Sequence, residues 1–346
     1  MRQYLTILFV IFSSFLLLAQ NDKEEKKKKL PENIEAIDSK FSFSPIYVNE
    51  YSFFKIKSRA ESNAGEMKYK PNVTASVGAK ISFKNISISY VHALPQSEDF
   101  GKTKATNLVF NFQKRIFGMQ LFWIKYDGLY IDTLDRYRLY NDMYINGVDS
   151  AFILRPDIKL NDIGFKNYFV FRKNFSVNAA FEQTERQKKT AGSFMLMYSG
   201  NFIKIENEKG KSLILESQKE FYPRIYDIYK LNSLAFKIAP GIGYSFIIKK
   251  YFNFSFIFLA GPSAQYKWYH LDGSDYTKYG LWLSYYYEVK AALGYNGKIF
   301  MANIIYSRSQ DILGFSKKYN DNDYDCKTNF NFFREYIKLS LGFRIY

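Results

Sequence analysis

A single cysteine, Cys326, stands in 346 residues, so no intramolecular disulfide can staple this chain. Its stability must come from burial and backbone pairing. Histidine is nearly as scarce, with only His92 and His270, which leaves little material for a metal centre or for base-assisted nucleophilic catalysis. Only 8 prolines occur, and no Ser/Gly-rich linker divides the chain after about residue 70, so one domain is the simplest organisation. Past the N-terminal segment there is no run of about eighteen uncharged apolar residues, and mean hydropathy is -0.28. Helices are not expected to span a membrane here.

The N-terminal segment itself, "MRQYLTILFVIFSSFLLLAQ", carries one positive charge at Arg2, an apolar run from Tyr4 to Leu18 and a small residue at Ala19. This is the pattern of a cleavable secretory signal peptide over residues 1–19. The charged stretch "NDKEEKKKK" follows, and residues 20–39 read as a periplasmic leader before a body over 40–346. No cysteine follows the apolar run, which argues against a lipid anchor. Net charge is +16, and 34 Phe with 30 Tyr beside 49 Lys and Arg would suit a nucleic-acid groove. Export argues against nucleic acid as a partner; the basic residues more naturally meet anionic lipid headgroups or lipopolysaccharide.

What the body does contain is alternation with period two. In "EYIKLSLGFRIY", at the C-terminus, Ile337, Leu339, Leu341, Phe343 and Ile345 alternate with Lys338, Ser340, Gly342 and Arg344. Equivalent patterns run through Ala75 to Phe83, Phe175 to Glu182, Leu234 to Phe246 and Leu281 to Asn296. Several of these exceed the ~5–6 residues usual for soluble strands and suit the ~9–11 that cross a bilayer at a tilt. The residues opposite the apolar set include Lys80, Glu182, Lys237, Glu288, Lys290, Lys338 and Arg344. Seven charges would be prohibitive in a sandwich core but can pair or stay hydrated in a barrel lumen. Aromatics near strand ends, among them Trp123, Tyr126, Trp268 and Tyr269, suit interfacial girdles.

These features predict an all-β fold, a transmembrane antiparallel β-barrel of about 12 to 14 strands with short periplasmic turns and long extracellular loops. The count is awkward at one place. Between Gln183 and Leu234 only "SFMLMYSGNFIKI" reads as a clear strand, where alternating topology wants an even number; "KSLILES" (Lys211 to Ser217) is a candidate for the missing one.

Several segments resemble an uncharacterised family of Bacteroidota outer-membrane proteins known only as a domain of unknown function. They are "YKPNVTASVGAKISFKNISISY" from Tyr69, "GKTKATNLVFNFQKRIFGMQLFWIKYDGLYI" from Gly101, "LRPDIKLNDIGFKNYFVF" from Leu154 and "AAFEQTERQKKTAGSFMLM" from Ala179, with "RPDIK" and "QKKTAGSF" the most specific. The resemblance implies an outer-membrane barrel and brings no activity, cofactor or catalytic residues. The last strand also resembles the terminal strand read by the outer-membrane barrel insertion machinery, although Tyr346 falls one position out of phase.

Other motifs carry less. "NDNDYDC", from Asn320, has alternating aspartates but lacks the glycine and the bidentate acid of a calcium loop. "GPSAQ" and "PGIGY" lack phosphate-loop spacing, so no cofactor or metal is expected. "DTL" and "DSA" resemble short O-glycosylation triplets with Thr133 and Ser150 as acceptors. For function three classes are ranked: narrowly first a pore or transport barrel passing small solutes, with anion preference from the lysine excess in its lumen; then a closed structural or surface-interaction barrel acting through its outer loops; and last an envelope enzyme, disfavoured by the histidine poverty. The residues do not decide oligomeric state.

Processing is directly measurable. The intact mass of protein purified from outer membranes should match a chain beginning at Gln20, and a mass retaining residues 1–19 would refute cleavage. Glycans on both triplets would add mass that Thr133→Ala and Ser150→Ala together abolish.

Overall fold

The computed structural model describes all residues except 1–30, 38, 40, 59–65, 95, 97–99, 115, 133–151, 223–225, 272–276 and 317–326. Asn33–Tyr346 forms one folded body. Alternation becomes strand almost throughout: β1 Ile34–Ala36, β2 Phe41–Glu50, β3 Phe53–Ser58, β4 Met67–Lys70, β5 Ser76–Phe83, β6 Ile86–Ala93, β7 Lys104–Gln113 and β8 Phe117–Asp132. Then come β9 Phe152–Val170, β10 Glu185–Gln187, β11 Ala191–Asn207, β12 Ile228–Ile248, β13 Phe252–Leu271, β14 Thr277–Asn296, β15 Phe300–Ser316 and β16 Lys327–Ile345.

All but β1 and β10 join one antiparallel sheet, and its ends meet. Strand β16 pairs with β15 on one side and with β2 and β3 on the other. Strands β2 and β3 are one wall strand interrupted at Tyr51 and Ser52, and β4 and β5 are one interrupted over 71–75, where Pro71 can donate no ladder hydrogen bond. Counted so, the wall has twelve strands, within the expected range.

Lysines in the left-handed region, Lys84 at φ 50°, Lys249 at 48° and Lys250 at 65°, bend the tight turns at one end. Apart from residues 171–190, the longer connections gather at the other end, the outer end hereafter.

The outer rim is narrower than the base. Strands β6 and β7 stop at Ala93 and Lys104, and beyond them β4 pairs directly with β8 through Lys68 with Asp132 and Lys70 with Tyr130. The fork is sewn by side chains: Thr103 Oγ1 donates to Gly128 O at 2.7 Å and accepts the Asn72 N–H at 2.9 Å. Gly128 sits at φ 85° in a β-bulge, and a Cβ there would come within 2.5 Å of Lys102 O.

The apolar residues of the alternating strands point outward. Phe236 and Ile238 are 54% and 57% exposed and Leu283 is 81% exposed, while Lys237, Ala239 and Ala235 between or beside them are buried. Such a continuous apolar face would be an aggregation site in water, and it is the face a bilayer covers. The molecule is therefore a transmembrane β-barrel, apolar outside and largely polar at mid-height within.

Four expectations change. The alternation of Phe175 to Glu182 is not a strand: Asn178–Glu182 forms a π-type turn, and Phe175, Val177, Ala180 and Phe181 are buried inside the barrel. Removing that strand from the count restores even topology, and "KSLILES" is likewise not a strand but runs into a short 3-10 turn over Glu216–Phe221. Tyr126 and Tyr269 face the lumen instead of the membrane interface, because the strand pairing puts both on the inward phase. The leader, too, contributes to the body, since β1 pairs with β10.

Gly128→Ala combines an unfavourable φ with the clash against Lys102 O. It should lower unfolding stability in micelles by about 1–3 kcal/mol, measured by urea titration.

Candidate functional site

A twelve-stranded cylinder encloses more space than its own inward side chains fill. Two segments of the chain turn into the lumen and occupy it from both ends. At the tight-turn end residues 171–190, joining β9 to β11, fold inward with β1 laid beside them. The turn is held locally: Ser176 Oγ donates to Glu185 Oε2 at 2.6 Å and accepts the Ala179 N–H at 3.0 Å, and Gln183 ends it at φ 59°. Gln187 Oε1 accepts the Ser176 N–H at 2.9 Å while its Nε2 donates to Asn174 O at 2.6 Å.

The same segment is fastened to the wall. Gln183 Nε2 reaches Tyr295 O and Ala302 O at 3.0 and 2.9 Å, and Arg186 Nε reaches Asn296 O at 2.8 Å while its Nη1 meets Glu35 at 3.0 Å. Arg344, on β16, donates to Gln183 O at 2.6 Å and to Asn296 Oδ1 and Gly297 O. Its apolar side packs Phe175, Val177, Ala180 and Phe181 against Tyr168, Met195, Met197, Ile257 and Leu259 of the wall.

At the outer end the connection between β11 and β12 enters the lumen. Leu213, Ile214 and Tyr222 are almost fully buried among Phe54, Ile56, Tyr69, Ile131, Ile158 and Phe332. Arg155 fixes the loop by donating to Ser212 O at 2.9 Å and Leu213 O at 3.3 Å, and is itself held by Asp157, at 3.1 Å. Asp157 also accepts from Asn207 Nδ2 at 2.6 Å, and Tyr69 donates to Leu213 O. The outer part of the lumen is thus an apolar core, contrary to the expected polar lining throughout.

Between the two lies an ionic belt. Glu288, fully buried, accepts from Lys166 at 2.7 Å, from Lys290 at 2.8 Å and from the Tyr286 hydroxyl. Lys290 also donates to Tyr168 Oη at 3.1 Å. Lys237 pairs with Asp311 and donates to Asn201 Oδ1 at 2.9 Å; Asn201 Nδ2 donates to Asp162 at 2.8 Å, and Asp162 pairs with Arg334. A buried carboxylate is tolerated at such a place because two ammoniums and two phenols share it.

Of the seven charges picked from the sequence, the structure places all inside the barrel but not all on its wall. Glu182 belongs to the inserted turn, where it meets Lys80 at 3.4 Å and Ser87 Oγ at 3.2 Å. Burial alone would raise its pKa, but the Lys80 and Lys338 charges outweigh that and hold it below the usual carboxylate range. Lys80, Lys237, Glu288, Lys290, Lys338 and Arg344 are wall residues. Lys166, Asp162, Asp311 and Arg334 escaped sequence reading, although each lies on the inward phase of a long strand. What hid the first two is that β9 reads "RPDIKLNDIGFKNYFVF", with polar residues on both faces. Thr133 and Ser150 lie outside the described residues.

A cavity of about 100 Å³ lies beside β6 and β7 and the inserted turn. Glu182, Lys290, Arg334 and Lys338 line one side, and Ile46, Val91 and Phe122 the other. His92 faces outward, and His270 stands at the end of β13 with its ring 6.0 Å from that of Tyr229.

The chain belongs to the family described as Domain of unknown function (DUF4421), whose model matches residues 34–344. No curated protein matches it. Among solved structures it is similar to the outer membrane protease OmpT of Escherichia coli, at 10% identity over 92% of this chain and 99% of that one, with a TM-score of 0.41. The toluene transporter TodX of P. putida is similar at 8% identity, 91% of each chain and a TM-score of 0.27. A FadL homologue of Pseudomonas aeruginosa is similar at 8%, over 89% and 91%, with a TM-score of 0.29. At these TM-scores the likenesses carry no argument, and the reading of function rests on the chain's own geometry.

Glu288→Gln leaves Lys166 and Lys290 buried without their counter-charge and should cost about 3–5 kcal/mol. Glu208→Gln, which removes only the half-exposed partner of Lys159, should leave the midpoint of the same urea titration unchanged.

Proposed function

We propose that this protein is a closed outer-membrane barrel that works at its outer surface and does not act as a standing pore. The observation that supports this is the filling of the lumen by two segments continuous with the wall, one at each end, with an ion-paired belt between them. Neither insertion is a separate domain that could dissociate: residues 171–190 link β9 to β11, and the outer loop links β11 to β12. Opening a path would require breaking the Arg186, Gln183 and Arg344 contacts at one end and an apolar core at the other.

A second reading, passage of small anions, is favoured by the cavity lined by Lys290, Arg334 and Lys338 against the single acid Glu182. It needs both residues 171–190 and the connection between β11 and β12 to leave the lumen. The lysine excess of the lumen would then set anion preference. A lipid-modifying enzyme has less support, because the chain carries only two histidines and His92 lies on the lipid-facing side.

Planar-bilayer recording separates the first two. The refolded, unaltered protein should insert without producing conductance steps, whereas replacing both 175–182 and 211–222 by Gly/Ser linkers of equal length should produce them. Stable steps from the unaltered protein, with a reversal potential showing anion selectivity, would overturn the closed reading and establish the second.

A further inference from the structure

The outward surface just beyond the apolar belt holds a cluster that nothing in the lumen explains. On β16 the outward apolar residues Ile345, Phe343, Leu341, Leu339 and Ile337 cover about the ~9–11 residues that cross a bilayer at a tilt. The next outward positions, Glu335 and Phe333, therefore lie at the outer membrane boundary. Phe333 is paired in register with Phe53, and their rings stack at 4.6 Å. Tyr51 packs edge-on to Phe53 at 5.6 Å.

Three ammoniums converge on these rings. Lys68 Nζ lies 4.2 Å from the Phe53 centroid and donates to Tyr51 Oη at 3.3 Å; Lys70 Nζ is 4.9 Å from the Tyr51 centroid; Lys55 Nζ is 5.7 Å from Phe53 and 5.9 Å from Phe333. Lys55 and Lys68 share one rung of the β3–β4 ladder, an arrangement that costs energy between like charges. Glu66 engages Lys55, and Asp132 occupies the rung beside Lys68 on β8. Lys70 is only 7% exposed although it points away from the lumen. A surface chosen for solvation alone would spread these cations apart.

We infer that Tyr51, Phe53, Lys55, Lys68, Lys70 and Phe333 form a binding site for the phosphorylated headgroup of an outer-leaflet lipid. The phosphate oxygens would accept charge-assisted hydrogen bonds from Lys68 and Lys70 and offset the repulsion along the rung. The rings, at the top of the apolar belt, would lie against the first carbons of the acyl chains. An aqueous phosphate would use the lysines without the rings; the junction of both commits the site to a lipid.

Native mass spectrometry of the full-length barrel in nanodiscs tests this, with bisphosphorylated lipid A compared with the same lipid A after phosphatase treatment. The unaltered protein should retain the phosphorylated form on gas-phase release, and Lys68→Gln with Lys70→Gln should reduce that retention about tenfold, the loss of charge-assisted contacts. Lys159→Gln, at the rim elsewhere, should leave it unchanged. Equal retention of both lipids by the unaltered protein would overturn the proposal, and this comparison stands even if the double variant does not fold. Displacement of the lipid by inorganic phosphate alone would overturn the assignment to a lipid headgroup.

Discussion

Closure of the sheet is the constraint on which the rest depends. When β16 pairs with β15 on one edge and β2 and β3 on the other, every wall strand finds both neighbours, and no row of backbone donors and acceptors faces hydrocarbon. That closure also creates an interior. With twelve strands at the base the enclosed space is too wide for one layer of side chains to meet across it, so it must be wetted or filled. This chain fills it.

The way it is filled divides the molecule along its axis. At the outer end, where β4 meets β8 directly and the rim narrows, the inward positions are apolar and receive Leu213, Ile214 and Tyr222 from the loop after β11. At mid-height the inward positions carry charge, and the cost of removing it from water is met by mutual pairing: Glu288 with Lys166 and Lys290, Asp311 with Lys237, Asp162 with Arg334. At the base an inserted turn supplies both kinds of contact at once, apolar through Phe175 and Phe181, polar through Gln183, Arg186 and Glu182.

Two stretches that stand out in the sequence turn out to be the anchors of these insertions. "RPDIK" provides Arg155 and Asp157, which hold the outer loop by its backbone carbonyls and by Asn207. "QKKTAGSF" begins with Gln187, which closes the inserted turn on Ser176 and Asn174, and continues to Thr190 and Ser193, whose hydroxyls accept the N–H groups of Ile247 and Arg172. Both motifs therefore act by joining a segment to the wall.

The sequence by itself determined the barrel, because period-two alternation over strands as long as β12 and β14 leaves one apolar face that only lipid can cover, and because a closed ladder is the one way strands can present it. The phase was legible too: Leu234 to Phe246, Leu281 to Tyr295 and Ile337 to Ile345 point where alternation puts them. Phe175 to Glu182 shows where that reasoning stops, since a buried turn can alternate as neatly as a strand and only its hydrogen bonds to Glu185, Gln187 and Asn303 reveal it. Tertiary structure alone decided that the lumen is filled, that Glu182 comes from an insertion, and that Lys166, Asp162, Asp311 and Arg334 complete the ionic belt. Those pairings join residues up to 172 positions apart, and their partners are chosen by strand register around the cylinder, which no local pattern records.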